Sequence, residues 1–156
     1  HMPEGFTKAL ADRLNGISQL TVVEAEDGMK LENGHGYIAP GHSHIIVSKM
    51  GLKRMIMLSK KGKVSGHQPS VDVLFESVAN VYGKKAIGII MTGMGKDGSQ
   101  SIKLMKDAGA HTIAQSEVSC CVFGMPNAAI KLGAIDEILS LEAIALKLKN
   151  LIRNQK

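Results

Sequence analysis

The chain has 156 residues, a formal net charge of +5, 44% apolar residues and 21% charged residues. This length is enough for one domain with a hydrophobic core, and the composition excludes a disordered tail and a collagen-like repeat. No apolar run reaches the about 18 residues of a membrane-spanning helix. With 3% aromatic residues and no Trp, the chain has few rings on which single-stranded nucleic acid could stack, and we expect no nucleic-acid partner.

The first half of the chain predicts helices at both ends and short strands between them. Phe6, Leu10 and Leu14 recur at helical spacing, and Asn15-Gly16 is expected to end that helix. Further along, the patterns predict strands over 21–25 and 37–39, a β-hairpin of strands 44–48 and 53–58, and a helix over 70–82.

The second half alternates strands and helices. Ala86 to Met91 is a continuous apolar run, which is typical of a strand buried on both faces of a parallel sheet. The following segments predict helices over 99–108, 126–132 and 141–153 and strands over 111–115 and 135–139. The alternation predicts an α/β fold with a doubly wound, mostly parallel sheet, flanking helices and a β-hairpin, in a Rossmann-like three-layer arrangement that spans 1–156 as one domain.

The glycine-rich turn from Thr92 to Gly98 follows the buried strand 86–91. Ligands of such sheets bind beyond the carboxyl ends of the strands, so the turn and its Asp97 are candidate functional residues. Three alternatives stay open. Asp97 and Gln100 fit a helix capping box, which would give Asp97 a structural role. The glycines of the turn match the phosphate-binding spacing G-x-G-x-x-G. Alternatively, these glycines serve only to let the chain turn sharply and pack closely.

Charge, histidine and cysteine patterns give further expectations. No acid occurs between Asn33 and Val71, and the six cations in that segment favour an acidic partner or an edge-protected hairpin. The adjacent cysteines, Cys120 and Cys121, are expected to be buried thiols in a reducing, cytoplasmic compartment. His42 and His44 have no third metal ligand nearby, so no metal or other cofactor is expected.

Five motifs occur in an order that is typical of one family. They are His1-Met2-Pro3-Glu4-Gly5-Phe6-Thr7, Tyr37-Ile38-Ala39-Pro40-Gly41, Pro69-Ser70-Val71-Asp72-Val73-Leu74-Phe75, Thr92-Gly93-Met94-Gly95-Lys96-Asp97-Gly98 and Phe123-Gly124-Met125-Pro126. The chain resembles, over essentially its whole length, the catalytic domain of the CheB family of chemotaxis protein-glutamate methylesterases.

The resemblance implies a carboxylic ester hydrolase with a Ser-His-Asp triad. Such enzymes hydrolyse glutamate methyl esters and deamidate glutamines on the cytoplasmic helices of chemoreceptors, and they release methanol during chemotactic adaptation. By resemblance His1 is the catalytic base, Asp97 is the carboxylate that orients it, and Met94 with Gly93 lines the active site. His1-Met2 is also the pair that an expression vector leaves.

The family's nucleophilic serine precedes the histidine, in a strand, loop and helix that have no counterpart in these 156 residues. We therefore expect a catalytic domain without its first strand, nucleophile loop and helix, and inactive by itself. The expected partners are methyl-accepting chemoreceptors and, as in many family members, a response-regulator receiver domain, with no membrane insertion. A nucleotide-binding module or a non-catalytic scaffold is the alternative.

Overall fold

The computed structural model describes residues 1–153 of the chain. These residues form two compact units, of which the first contains His1–Val81 and the second begins at Tyr82. Residues 154–156, which the domain prediction includes, lie outside the described residues. None of the helices within 1–153 is both long enough and apolar enough to cross a membrane.

The first unit contains a parallel strand pair, an antiparallel hairpin and two helices. Its elements are α1 (Phe6–Ile17), β1 (Thr21–Glu24), β2 (His35–Ile38), β3 (His44–Met50), β4 (Lys53–Ser59) and α2 (Val71–Tyr82). β1 and β2 pair in parallel, whereas β3 and β4 form the predicted hairpin. The hairpin turns at Gly51-Leu52, where Gly51 has a φ of 61° that favours glycine.

The hairpin supplies the hydrophobic core of this unit. Ile45 and Ile56 are buried with Ala25, and Leu74 of α2 packs against them. The backbone N–H of Val47 also donates to the Ser77 hydroxyl, at 3.0 Å, which ties β3 to α2. These contacts hold the loop between β4 and α2 against a fixed frame.

The second unit is a three-stranded parallel sheet with helices packed on it. Its regular elements are β5 (Ile87–Ile90), α3 (Ser99–Asp107), β6 (His111–Gln115), α4 (Met125–Lys131), β7 (Glu137–Leu139) and α5 (Leu141–Arg153). The strand order is β5-β6-β7. Ile90, Ile102 and Ile113 are almost completely buried. The apolar run before the glycine-rich turn is a strand as predicted, but the expected burial on both faces is wrong, because Ile87 and Ile89 are only half-buried.

The α/β class with parallel strands and flanking helices is confirmed, and the strands fall into three separate sheets. One helix boundary was predicted wrongly, because α1 continues through Asn15 and Gly16 to Ile17. The Asn15 side-chain oxygen accepts a hydrogen bond from the Val22 N–H at 2.9 Å. Asn15 therefore anchors the connection to β1 rather than ending the helix.

A charged network joins the amino ends of β6 and β7. Partial burial raises the pKa of Asp136, but hydrogen bonds from Thr112 and Lys106 outweigh it, and the pKa is lowered below its ordinary 3.8. The ammonium of Lys147 and the ring of His111 each lie 2.7 Å from the Glu137 carboxylate. The hydrogen bond from Lys147 contributes most to lowering the pKa of Glu137, and it outweighs partial burial, which raises that pKa. Both carboxylates are therefore stabilised in their ionised form.

This network predicts that acid weakens the fold in a defined pH range. A carboxyl group with a lowered folded-state pKa stabilises the protein above its ordinary pKa, and the contribution is lost as the pH falls through the folded value. The free energy of unfolding should therefore fall below about pH 4. Asp136→Asn should cost on the order of 1 kcal/mol at pH 7 and flatten this dependence in urea titrations. The matched change Asp107→Asn, at an exposed i,i+4 ion pair, should leave the pH dependence of the free energy of unfolding intact. If both variants flatten this dependence equally, Asp136 is not its source.

Candidate active site

Asp97 is buried at the end of the glycine-rich loop that follows β5. Only 1% of its surface is exposed. Its neighbour Gly98 has a φ of 84° and occupies the N-cap position of α3. Asp97 therefore precedes the cap, and the predicted capping box of Asp97 and Gln100 is wrong. A buried carboxylate in the loop beyond the carboxyl end of a parallel strand remains a candidate functional group.

Close backbone packing explains two of the glycines around this loop. A Cβ atom on Gly124 would lie 2.6 Å from the Gly93 carbonyl oxygen and 2.9 Å from the Gly95 nitrogen. The Gly93 carbonyl accepts hydrogen bonds from the backbone N–H groups of Gly124 and Met125, at 3.1 and 2.8 Å. The side chain of Met125 fills the space where a Cβ on Gly93 would lie. Close packing thus accounts for Gly93, and positive φ values of 88° and 84° account for Gly95 and Gly98, the other two glycines of the spacing that also matched a phosphate-binding motif.

The loop presents an apolar side chain beside the buried acid. Met94, predicted to line the active site together with Gly93, is 80% exposed.

The prediction that both cysteines are buried is wrong: Cys121 is exposed and Cys120 is half-buried. Desolvation raises the pKa of the Cys120 thiol. The loop after β6 turns Cys121 outward, which the flanking apolar residues did not indicate.

His1 belongs to the first unit, where close backbone packing fixes the segment that carries it. A Cβ on Gly41 would lie 2.5 Å from the Pro3 carbonyl carbon, so only glycine permits this approach. The buried Thr7 hydroxyl accepts from the Gly41 N–H at 3.1 Å and donates to the Glu24 carboxylate at 2.5 Å. The first and second sequence motifs therefore meet at the start of the chain.

The imidazole of His1 stacks on the imidazole of His67. The ring centroids are 3.8 Å apart and the planes differ by 19°. His67 follows a tight turn in which Ser65 and Gly66 both have positive φ, 52° and 82°, and its Nδ1 lies 2.8 Å from the Ser65 carbonyl oxygen. Because a carbonyl can only accept, Nδ1 carries the proton. His1 and His67 line an open cavity of about 250 Å³, with Lys63 and Gln68 among its polar residues.

The loop that carries His67 is braced at both ends by His44. The buried His44 ring lies with Nε2 3.0 Å from the Lys61 carbonyl oxygen, and its Nδ1 accepts from the Ser70 N–H at 3.1 Å. Both ring nitrogens are thus engaged by backbone groups. His44 is a structural histidine, and the H-x-H pattern with His42 forms no ligand pair.

The sequence analysis did not single out His67. The available signal was Ser65-Gly66, a dipeptide typical of tight turns, just before a histidine. That signal predicts a turn but not the ring on which His67 stacks, because the contact joins residues 66 positions apart in the sequence.

The fold and the candidate residues define a parallel α/β domain with a buried carboxylate in the loop after a core strand. The chain belongs to the CheB methylesterase family, whose model matches residues 1–148. The resemblance inferred from the five motifs is confirmed.

Individual relatives agree with this assignment. The chain is 55% identical over 141 residues to a protein-glutamate methylesterase/protein-glutamine glutaminase of Paraburkholderia xenovorans, and 51% identical over 148 residues to one of Nitrosomonas europaea. Those matches cover 90% and 95% of this chain but 39% and 41% of the relatives. The chain thus spans about two fifths of their length.

A solved structure gives the same result. The crystal structure of the Thermotoga maritima CheB methylesterase catalytic domain matches with a TM-score of 0.94 and 42% identity. The match covers 97% of this chain and 80% of that one.

The packing of Gly124 gives a test of the loop geometry. Gly124→Ala forces a methyl group into the backbone of the Asp97 loop, so we expect it to lower the free energy of unfolding by about 2 kcal/mol. The control is Gly16→Ala in α1, where a Cβ meets nothing within 4 Å and should stabilise the helix by about 0.5 to 1 kcal/mol. Urea titration measures both; a neutral Gly124→Ala would refute the close approach.

Proposed function

We propose that this chain is part of a cytoplasmic enzyme that hydrolyses glutamate methyl esters and deamidates glutamines on chemoreceptor helices. The observation that carries the proposal is membership of the CheB methylesterase family over residues 1–148, a range that includes both His1 and Asp97. The relatives from Paraburkholderia xenovorans and Nitrosomonas europaea are named for both activities.

His1 is proposed as the general base. Attack on an ester requires a nucleophile whose proton is removed as the bond forms, and an imidazole can accept and return that proton near neutral pH. In the first step His1 takes the proton of a serine hydroxyl as the serine oxygen bonds to the ester carbonyl carbon, and it then donates that proton to the departing methoxide, which leaves as methanol. Water, deprotonated by the same ring, then attacks the acyl-serine; the ring returns the proton to the serine oxygen as the acyl bond breaks, and the glutamate is released. The stacked His67 ring limits the orientations available to His1.

Asp97 is proposed as the carboxylate that orients the base. An ionised carboxylate fixes the imidazole tautomer and stabilises the imidazolium that forms during the reaction. Its burial and the close packing of its loop support this role, because a positioned charge costs little reorganisation during the reaction. Gly93 and Met94 complete the proposed active-site lining.

The nucleophile is proposed to be a serine outside these 156 residues. Ser43, Ser70, Ser99 and Ser101 are each at most 3% exposed, too little for attack on a receptor. Ser65 donates to the Asp72 carboxylate at 3.0 Å. These environments favour a supporting role for these five serines.

Methanol release from methylated receptor membranes tests the proposal. The chain alone should release none, and the chain extended upstream by its own coding sequence should release it. In the extended protein, His1→Ala and Asp97→Asn should each lower kcat by about 10³ to 10⁴. Release by the chain alone would contradict the placement of the nucleophile. Absence of release from the extended protein would refute the activity.

The acid-free segment is proposed to dock on acidic receptor surfaces. Lys60, Lys61 and Lys63 are exposed, and a patch of one sign attracts an oppositely charged partner. The triple change of these lysines to Glu should weaken binding to receptor fragments about tenfold at low salt, because attraction becomes repulsion. Titration calorimetry measures this. The same three charge reversals at the exposed Lys85, Lys131 and Lys149 form the control, and equal weakening by both sets would contradict local docking.

A further inference from the structure

A tight turn of two residues fixes the backbone of His67, the residue on which His1 stacks. The Val64 N–H donates to the His67 carbonyl at 3.0 Å, and the His67 N–H donates to the Val64 carbonyl at 2.9 Å. Between them, Ser65 and Gly66 have φ values of 52° and 82°, the pattern of a type I′ turn. A positive φ is strained for serine, and such strain is concentrated at functional sites.

Side-chain hydrogen bonds restrict the turn and the His67 ring further. The protonated Nδ1 of His67 donates to the Ser65 carbonyl at 2.8 Å. The Ser65 hydroxyl donates to the Asp72 carboxylate of α2 at 3.0 Å, and the Gln68 amide donates to the His42 carbonyl at 3.2 Å. The His67 ring therefore has little freedom to rotate or to move away from its position.

The imidazole of His1 lies face to face with this fixed ring. The centroids are 3.8 Å apart and the planes differ by 19°. A cation over the face of an aromatic ring, within about 6 Å of its centre, is attracted by the ring electrons. In the proposed reaction His1 becomes an imidazolium while it holds the serine proton. Its attraction to an uncharged His67 ring is then stronger in the transition state than before the proton moves, and only such a difference accelerates the chemical step.

We propose that His67 is a positioning residue for the ester hydrolysis, because its uncharged ring holds the His1 imidazole in one plane and stabilises the imidazolium that forms there. The inference rests on the proposed function and adds to it a residue that acts through the base. Since this contact is made with the base and strengthens in the transition state, its loss should lower kcat and leave KM unchanged.

Two substitutions of His67 test this role by methanol release from methylated receptor membranes. In the extended protein, His67→Ala should lower kcat about tenfold, equivalent to about 1.4 kcal/mol, with KM within twofold of the parent. His67→Phe keeps an aromatic face but can neither ionise nor donate to Ser65, and it should retain kcat within threefold of the parent. Urea titration should show that both variants are folded.

His35→Ala is the matched control. His35 is a half-buried histidine of the same unit, and its ring stacks on that of Tyr37, with the centroids 6.0 Å apart. This change should leave kcat as in the parent. If His67→Ala keeps kcat within twofold of the parent, or if His67→Phe is as slow as His67→Ala, the positioning role is refuted.

Nuclear magnetic resonance of the chain itself separates this inference from the proposed function. A stacked aromatic ring shifts the proton signals of its neighbour, so the His1 ring signals should move in His67→Ala and stay in place in His35→Ala. Unmoved signals in His67→Ala would refute the stack. If the signals move as expected but the extended parent releases no methanol, the stack is real, the proposed function fails, and the positioning role fails with it.

Discussion

The approach of Gly124 to the backbone of Gly93 and Gly95 is the constraint on which the candidate site of the second unit depends. The Gly93 carbonyl accepts two backbone hydrogen bonds from the segment that starts α4, and no side chain larger than hydrogen fits at Gly124. The loop after β5 is thereby held against the loop after β6. In the same loop, Asp97 is buried and Met94 is exposed. A carboxylate fixed in this way can orient a base without reorganising during the reaction.

In the first unit, a glycine likewise permits the close approach of a neighbouring backbone segment. The approach of Pro3 to Gly41 fixes the start of the chain, and His44 braces the loop that ends in His67. The stacked pair of His1 and His67 depends on both. In each unit, therefore, a glycine that admits a neighbouring backbone places a candidate catalytic group, and buried polar side chains secure the loops around it.

The sequence was most informative for features that periodicity and the order of motifs determine, namely the positions of strands and helices and the family. The core strand β5, the hairpin and the final helix were all predicted within a few residues, because burial patterns of strands and helices are local. The capping box of Asp97 and Gln100, one of the alternatives that the sequence left open, is wrong, since Gly98 takes the N-cap position. The exposure of Cys121 and the contacts of His67 were not predictable, because each depends on segments that are distant in sequence. The family resemblance suggested the roles that are proposed for His1 and Asp97, which residue types alone left open.

The central claim is that His1 activates a serine that lies outside these 156 residues. Labelling with a fluorophosphonate, which reacts with activated serines, followed by peptide mass mapping tests it most directly. We expect no adduct on the chain alone and one adduct upstream of His1 in the extended protein, with labelling strongly reduced in His1→Ala. An adduct on a serine within the present chain, or undiminished labelling without His1, would contradict the account.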